Sequence, residues 1–141
     1  YVIRRLGPNG ATRVTFRRDY QPVPVADSTR ARIIQEFRRE PRGYRAENGF
    51  NPNQVPPTYP AFERFYPAPD GSLWVRRTLA GGRIGYDVFA ANGRYEGEAQ
   101  LPQGFAEVVI QVITGDRIYG VVTDVFDVKY VVRFGIRREG S

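Results

Sequence analysis

Short runs in which apolar and polar residues alternate, each closed by an Asn-Gly, Asp-Gly or Gly-Asp pair, recur along most of this 141-residue chain. Alternation with a period of two is the pattern of a strand with one buried face. The Gly of an Asn-Gly or Asp-Gly pair supplies the positive φ that a tight hairpin needs. Together these features restrict the chain to locally connected antiparallel strands. In residues 94–101, Tyr95, Gly97, Ala99 and Leu101 face one way, and Arg94, Glu96, Glu98 and Gln100 face the other. Residues 83–90 form a preceding strand with Ile84, Tyr86 and Val88 on one side, joined through Ala91-Asn92-Gly93. Residues 72–78 follow the turn Pro69-Asp70-Gly71, and 62–66 precede it. Residues 61–101 therefore read as a four-stranded antiparallel meander.

The pattern restarts with an apolar strand at 105–113, a turn at Gly115-Asp116, a strand at 117–123 and another at 127–136. In the last, Val128, Tyr130, Val132, Phe134 and Ile136 share a face. At the N-terminus, residues 1–6 and 11–18 flank Pro8-Asn9-Gly10. Residues 19–60 break the rhythm. Prolines extend the first part. Asp27 or Ser28 then reads as a helix N-cap, and one amphipathic helix is expected at about 28–40, stopped by Pro41 and Gly43. A Pro/Asn-rich loop, 48–60, completes the insertion. The chain starts inside a strand-like run and contains no Met, so upstream sequence is expected.

A repeat underlies the strands. Asn9-Gly10 superposes on Asn92-Gly93 with an offset of 83 residues, and Leu73-Trp74 superposes on Ile118-Tyr119 with an offset of 45. Without the insertion, both offsets suit a unit of roughly 40–45 residues, the length of one β-propeller blade. The fold class expected is all-β: four-stranded antiparallel blades with one inserted helix. Residues 1–18 are the last two strands of one blade, 19–60 the insertion, 61–101 a complete blade and 105–138 the first three strands of a final blade. The polar alternation of 11–18 and 94–101 suits outer strands. The continuous apolar run 105–113 suits a strand covered on both faces.

The runs Pro-Asp-Gly-Ser-Leu-Trp-Val (69–75), Tyr-Asp-Val-Phe with Asn-Gly-Arg (86–94), Leu-Pro-x-Gly-Phe (101–105), Gly-Asp-Arg-Ile-Tyr-Gly-Val (115–121) and Asp-Val-Lys-Tyr-Val (127–131) carry a resemblance. The chain resembles the C-terminal section of bacterial six-bladed β-propeller proteins of the NHL/TolB-like kind. That resemblance implies a ring exported from the cytoplasm, periplasmic or secreted, whose last blade borrows a strand from the N-terminus of a longer chain. The expected partners are the remaining blades or other protein chains.

Residue types narrow the function. With no Cys and no His, the chain excludes thiol catalysis, Ser-His-Asp hydrolysis and the usual zinc sites. No apolar run approaches the ~18 residues of a membrane span. The net charge of +6 comes from 21 basic residues, but the pairs Arg17-Arg18, Arg38-Arg39 and Arg76-Arg77 split across strand faces or lie on a helix. No aromatic nucleic-acid-reading motif accompanies them, so nucleic acid is not the expected partner. Asp70, Asp87, Asp116, Asp124 and Asp127 read as backbone-capping turn residues. Among them Asp124 and Asp127, flanking one hairpin, are the candidates for calcium, the only cofactor considered. Glu96 and Glu98 read as salt-bridged surface, and Trp74 as packing. Ile33, Ile34 and Phe37 on the helix are candidates for partner binding. The function expected is a non-catalytic binding or scaffolding module; the alternative is a metal-dependent, lactonase-like propeller hydrolase centred outside this segment.

Overall fold

The computed structural model describes residues 1–39, 51 and 54–137. The helix stop at Pro41 and Gly43, part of the Pro/Asn-rich loop and the tail 138–141 lie outside the described residues. The chain divides into two compact units, residues 21–60 and the remainder.

The larger unit is three antiparallel sheets. The first pairs β1 (Val2–Leu6) with β2 (Thr12–Arg17). The second is the meander β3 (Arg64–Pro67), β4 (Leu73–Thr78), β5 (Ile84–Phe89) and β6 (Tyr95–Ala99). The third is β7 (Val109–Ile113), β8 (Arg117–Thr123) and β9 (Lys129–Gly135). The expected strand at 105–113 begins only at Val109. Pro102, Gly104 (φ 89°) and the bonds Phe105 N–H to Pro102 O and Val108 N–H to Phe105 O turn the chain first.

The middle sheet is covered on both faces. On one side Phe16 packs with Leu73, Val75 and Phe89, flanked by Tyr1, Ile3 and Val14 of the first sheet. On the other, Trp74 and Tyr86 pack with Val108, Ile110, Ile113 and Ile118. Full burial of such a side chain contributes about 1.5–3 kcal/mol, so these two apolar layers dominate the attachment of one sheet to the next. Ring contacts run through both layers: Phe16 to Phe89 at 5.9 Å, and Trp74 to Tyr86 at 6.4 Å.

Two β-bulges reset which residues face which layer. In β5–β6 the register slips between Val88 and Phe89, so Gly97 opposes Val88 while Tyr95 opposes Phe89 and Glu96 is the extra residue. Gly97, at φ 148°, takes the backbone conformation this requires. Tyr95 therefore points to the Phe16–Phe89 layer, and Ala99 and Leu101 to the Trp74 layer. The uninterrupted face Tyr95–Gly97–Ala99–Leu101 expected from alternation is thus split. In β7–β8 the extra residue is Gln111, which makes Ile110 and Ile113 the inward pair and leaves Val109 and Val112 44% and 47% exposed. Only one face of β7 is covered, in contrast to the two expected.

Five hairpins among the described residues share one hydrogen-bonding pattern. In each, the first residue's N–H donates to the carbonyl four residues on, and the N–H three residues on donates back to the first carbonyl. The returning residue is in the left-handed region: Gly10, Gly71, Gly82, Gly93 and Asp127, with φ between 63° and 90°. This is a three-residue loop closed by a left-handed bulge residue. Asn9, Asp70 and Asn92 precede the Gly, and each accepts from a backbone N–H two residues on.

In the smaller unit, α1 spans Asp27–Arg39, and Glu40, where the helix was expected to end, is outside the described residues. Arg30 N–H donates to Ala26 O, so Ala26 holds the N-cap position expected for Asp27 or Ser28. Asp27 sits in the first turn and Arg38 and Arg39 in the last, both favourable to the helix dipole. Residues 23–25 and 57–59 form an antiparallel clip through Val25 N–H to Pro57 O and Tyr59 N–H to Val23 O.

The repeated turn gives a matched test. A Cβ at Gly10 would meet nothing within 4 Å, whereas one at Gly93 would collide with the Thr15 carbonyl oxygen of the first sheet. Gly10→Ala is expected to cost about 1 kcal/mol, the strain of a left-handed residue, and Gly93→Ala about 3 kcal/mol because backbone atoms must also move. Urea denaturation midpoints of the two variants measure the difference.

Candidate functional site

The most concentrated chemistry lies between the first and second sheets. Asp87, in the middle of β5, is fully buried. Its Oδ2 accepts from the Tyr1 hydroxyl at 2.6 Å and lies 2.9 Å from Arg77 Nε. Its Oδ1 lies 3.7 Å from Arg18 Nε and accepts from the Tyr95 hydroxyl at 3.4 Å. The Arg18 guanidinium stacks on the Tyr95 ring at 4.0 Å. Asp87 was expected to cap backbone. Its register partners are Val75 on one side and Glu98 on the other, so it stands on the face of the sheet with its carboxylate inward.

That register creates a conflict. Two carboxylates directly opposite on adjacent strands repel. Arg77 resolves it: its Nε meets Asp87, and its Nη2 donates to Glu98 Oε2 at 3.0 Å. Glu98 is thus salt-bridged inward, while Glu96, the bulge residue, pairs with Arg94 at 3.3 Å at the surface. The surrounding phenols are held neutral. Burial raises Tyr1 well above its ordinary value of 10, and the bond to Asp87 raises it further; burial and then the Asp87 charge raise Tyr95.

The calcium candidates behave otherwise. Asp124 Oδ1 accepts from the N–H groups of Phe126 and Val128 at 2.9 Å each, and Oδ2 from the Tyr130 hydroxyl at 3.1 Å. The Val128 and Phe126 bonds hold its carboxyl below the usual range. Asp127 is the left-handed residue of the same turn. Among the described residues no group of three or more metal-capable side chains comes together.

The remaining candidates fall apart spatially. Ile33, Ile34 and Phe37 are half-buried along α1. Trp74 is buried against Tyr86 in the core. Arg76 turns to Glu63 and the Ala106 carbonyl on one face of the sheet, and Arg77 to the other. Among the described residues no helix is long and apolar enough to cross a membrane.

Sequence reasoning missed two features. One is the Asp87 cluster, for which an Asp flanked by Tyr and Val inside a strand was the available signal. The other is an open cleft of about 1320 Å³ between β6 and β9, lined by Trp74, Gly97, Ala99, Leu101, Phe134 and Ile136 among others. No protein-family model, no curated protein and no solved structure matches this chain.

Removing the Asp87 carboxylate leaves two guanidinium groups facing each other across an apolar layer. Asp87→Ala is expected to destabilise the chain by about 3 kcal/mol or more, and Arg77→Ala in the same background to cost less than alone, a coupling measurable by a double-mutant cycle. The neutral Tyr1 phenol stabilises the fold below pH 10; because folding raises its pKa, that stability is lost as pH rises above 10. Tyr1→Phe is therefore expected to flatten the alkaline limb of the stability curve. At the Asp124 turn, millimolar calcium is expected to leave the thermal midpoint unchanged. Asp127→Gly, which relieves the left-handed strain, is expected to raise stability by about 0.5 kcal/mol.

Proposed function

We propose that this chain is a non-catalytic binding and scaffolding section of a β-propeller, its sheets being blades completed by the remaining blades or by other protein chains. The observation that carries this reading is the stacking of sheets through apolar layers that stops with an apolar face uncovered. The middle sheet has both faces packed. The third sheet presents Val109, Val121 and Val131 in one register row on its outer face, with Val131 80% exposed. Val112 stands beside that row. A monomeric surface rarely leaves such a contiguous band open unless something covers it. The tally of two, four and three strands among the described residues also supports incomplete blades. An exported, periplasmic or secreted location belongs to the same proposal and rests on the sequence resemblance.

The purified chain is expected to bind the neutral dye Nile red and to self-associate as its concentration rises in sedimentation velocity runs. Val109→Lys combined with Val112→Lys is expected to remove both behaviours. Each substitution is on an exposed face and costs about 0.5 kcal/mol or less. A wild-type chain that stays monomeric and dye-free overturns the reading, as does steady lactone or ester turnover abolished by a substitution within this chain.

A further inference from the structure

The β8–β9 hairpin departs from its own repeat at the tip. The 45-residue offset that aligns Leu73 with Ile118 also aligns Leu79-Ala80-Gly81-Gly82 with Asp124-Val125-Phe126-Asp127. Both tips close with the same pair of backbone bonds: Leu79 N–H to Arg83 O with Gly82 N–H to Leu79 O, and Asp124 N–H to Val128 O with Asp127 N–H to Asp124 O. The backbone of this turn therefore needs nothing larger than Ala and Gly. In their place stand Val125 and Phe126, 92% and 83% exposed, and a left-handed Asp127 where the aligned Gly82 carries no strain.

The turn is rebuilt to hold them. At Asn9, Asp70 and Asn92, the residue before the Gly accepts the backbone N–H two residues on, so that position is taken by a capping side chain. In the β8–β9 turn the first residue caps instead. Asp124 Oδ1 accepts from Phe126 N–H and Val128 N–H, and Oδ2 from the Tyr130 hydroxyl. This releases the position before Asp127 for an aromatic ring and fixes the tip in one shape, which lowers the ordering cost of docking. The Asp124 carboxylate is engaged within the turn, while that of Asp127 is exposed beside Phe126.

A receptor of matching chemistry lies on the outer face of the same sheet. Val109, Val121 and Val131 form one register row there, and Val112 opposes Tyr119 in the next. Lys129 and Arg133 stand on that face on either side of Val131, opposite Thr123 and Tyr119 rather than an acid. These charges decide what can cover the valines. A sheet laid flat over the band has to bury both cations, and two copies stacked band to band bring like charges together. A lipid surface has to take in the Asp127 carboxylate along with Phe126. A hairpin tip is narrow enough to cover the valines and leave both cations at its rim, facing Asp127.

We propose that the β8–β9 tip of one copy docks on the valine band of a second copy, with Val125 and Phe126 on the apolar row and Asp127 beside Lys129 and Arg133. Each copy carries both halves, so the contact is heterologous and repeats from copy to copy. This inference rests on the scaffolding reading for the open band and names what occupies it.

Sedimentation velocity of the purified chain and two variants tests it. Phe126→Ser removes the ring from the tip, and Val109→Lys combined with Val112→Lys removes the band. Phe126→Ser is expected to weaken association about tenfold or more at an unchanged thermal midpoint, because the ring is exposed in the single copy. Each variant alone is expected to stay monomeric at concentrations where the wild type associates. Mixed, they are expected to form a 1:1 complex and nothing larger, since one keeps the tip and the other the band. If the double-lysine variant misfolds, Val131→Lys, at a position 80% exposed, takes its place. Asp127→Asn, which tolerates the left-handed backbone, is expected to weaken association severalfold. A Phe126→Ser chain that associates like wild type, or a mixture that stays monomeric, overturns this docking and leaves the scaffolding reading standing. A wild-type chain that does not associate at all overturns both.

Discussion

One buried carboxylate organises the polar chemistry of this molecule. Asp87 is reached by Tyr1 and Arg18 from the first sheet and by Arg77 and Tyr95 from its own. The apolar layer around it, Phe16 against Phe89 and Val75, supplies most of the attraction between the two sheets, but apolar contacts are not directional. Fixed donors on both sides of a single acceptor are directional. They select one alignment of the first sheet on the second, the role best attested for buried ionic groups. Arg5 adds a second fixed point, donating to the Gly71 carbonyl at 2.6 Å while lying over Phe16. The close seat of Gly93 under Thr15 is possible only in that alignment.

Local chemistry was legible in the sequence. Asn9-Gly10, Asp70-Gly71 and Asn92-Gly93 mark turns because Gly takes the left-handed bulge position and the preceding Asn or Asp accepts a nearby N–H. Those turns fix the hairpins, and the hairpins fix the order of strands within each sheet. The helix was equally readable from Ile33, Ile34 and Phe37, with its start displaced by the Ala26 cap.

Facing was less legible. Alternation assigns faces only while the register is unbroken, and a bulge inverts everything beyond it. Gly97 hides such an inversion behind a clean Tyr95–Leu101 pattern, and Gln111 hides another inside the apolar run of β7. The Asp87 cluster was invisible for a related reason. Tyr1 and Asp87 are 86 residues apart in sequence, and only the stacking of sheets brings them together. The cleft beside β9 also depends on two sheets, since it is the space opposite β6 that a three-stranded neighbour leaves open.

The clip at the base of the insertion bears on how the chain reaches this state. Most pairings here are between neighbours in sequence, which favours rapid assembly of each meander on its own. The exception is the first sheet, which must find Asp87 across a 40-residue stretch. Joining residues 23–25 to 57–59 converts that stretch, for the purpose of chain closure, into a loop of a few residues on either side of the clip. By the logarithmic dependence of closure entropy on length, the shortening is worth roughly 1 kcal/mol. It also separates two searches: once the clip has formed, the length of chain the first sheet must fold back across is set by the few residues outside the clip.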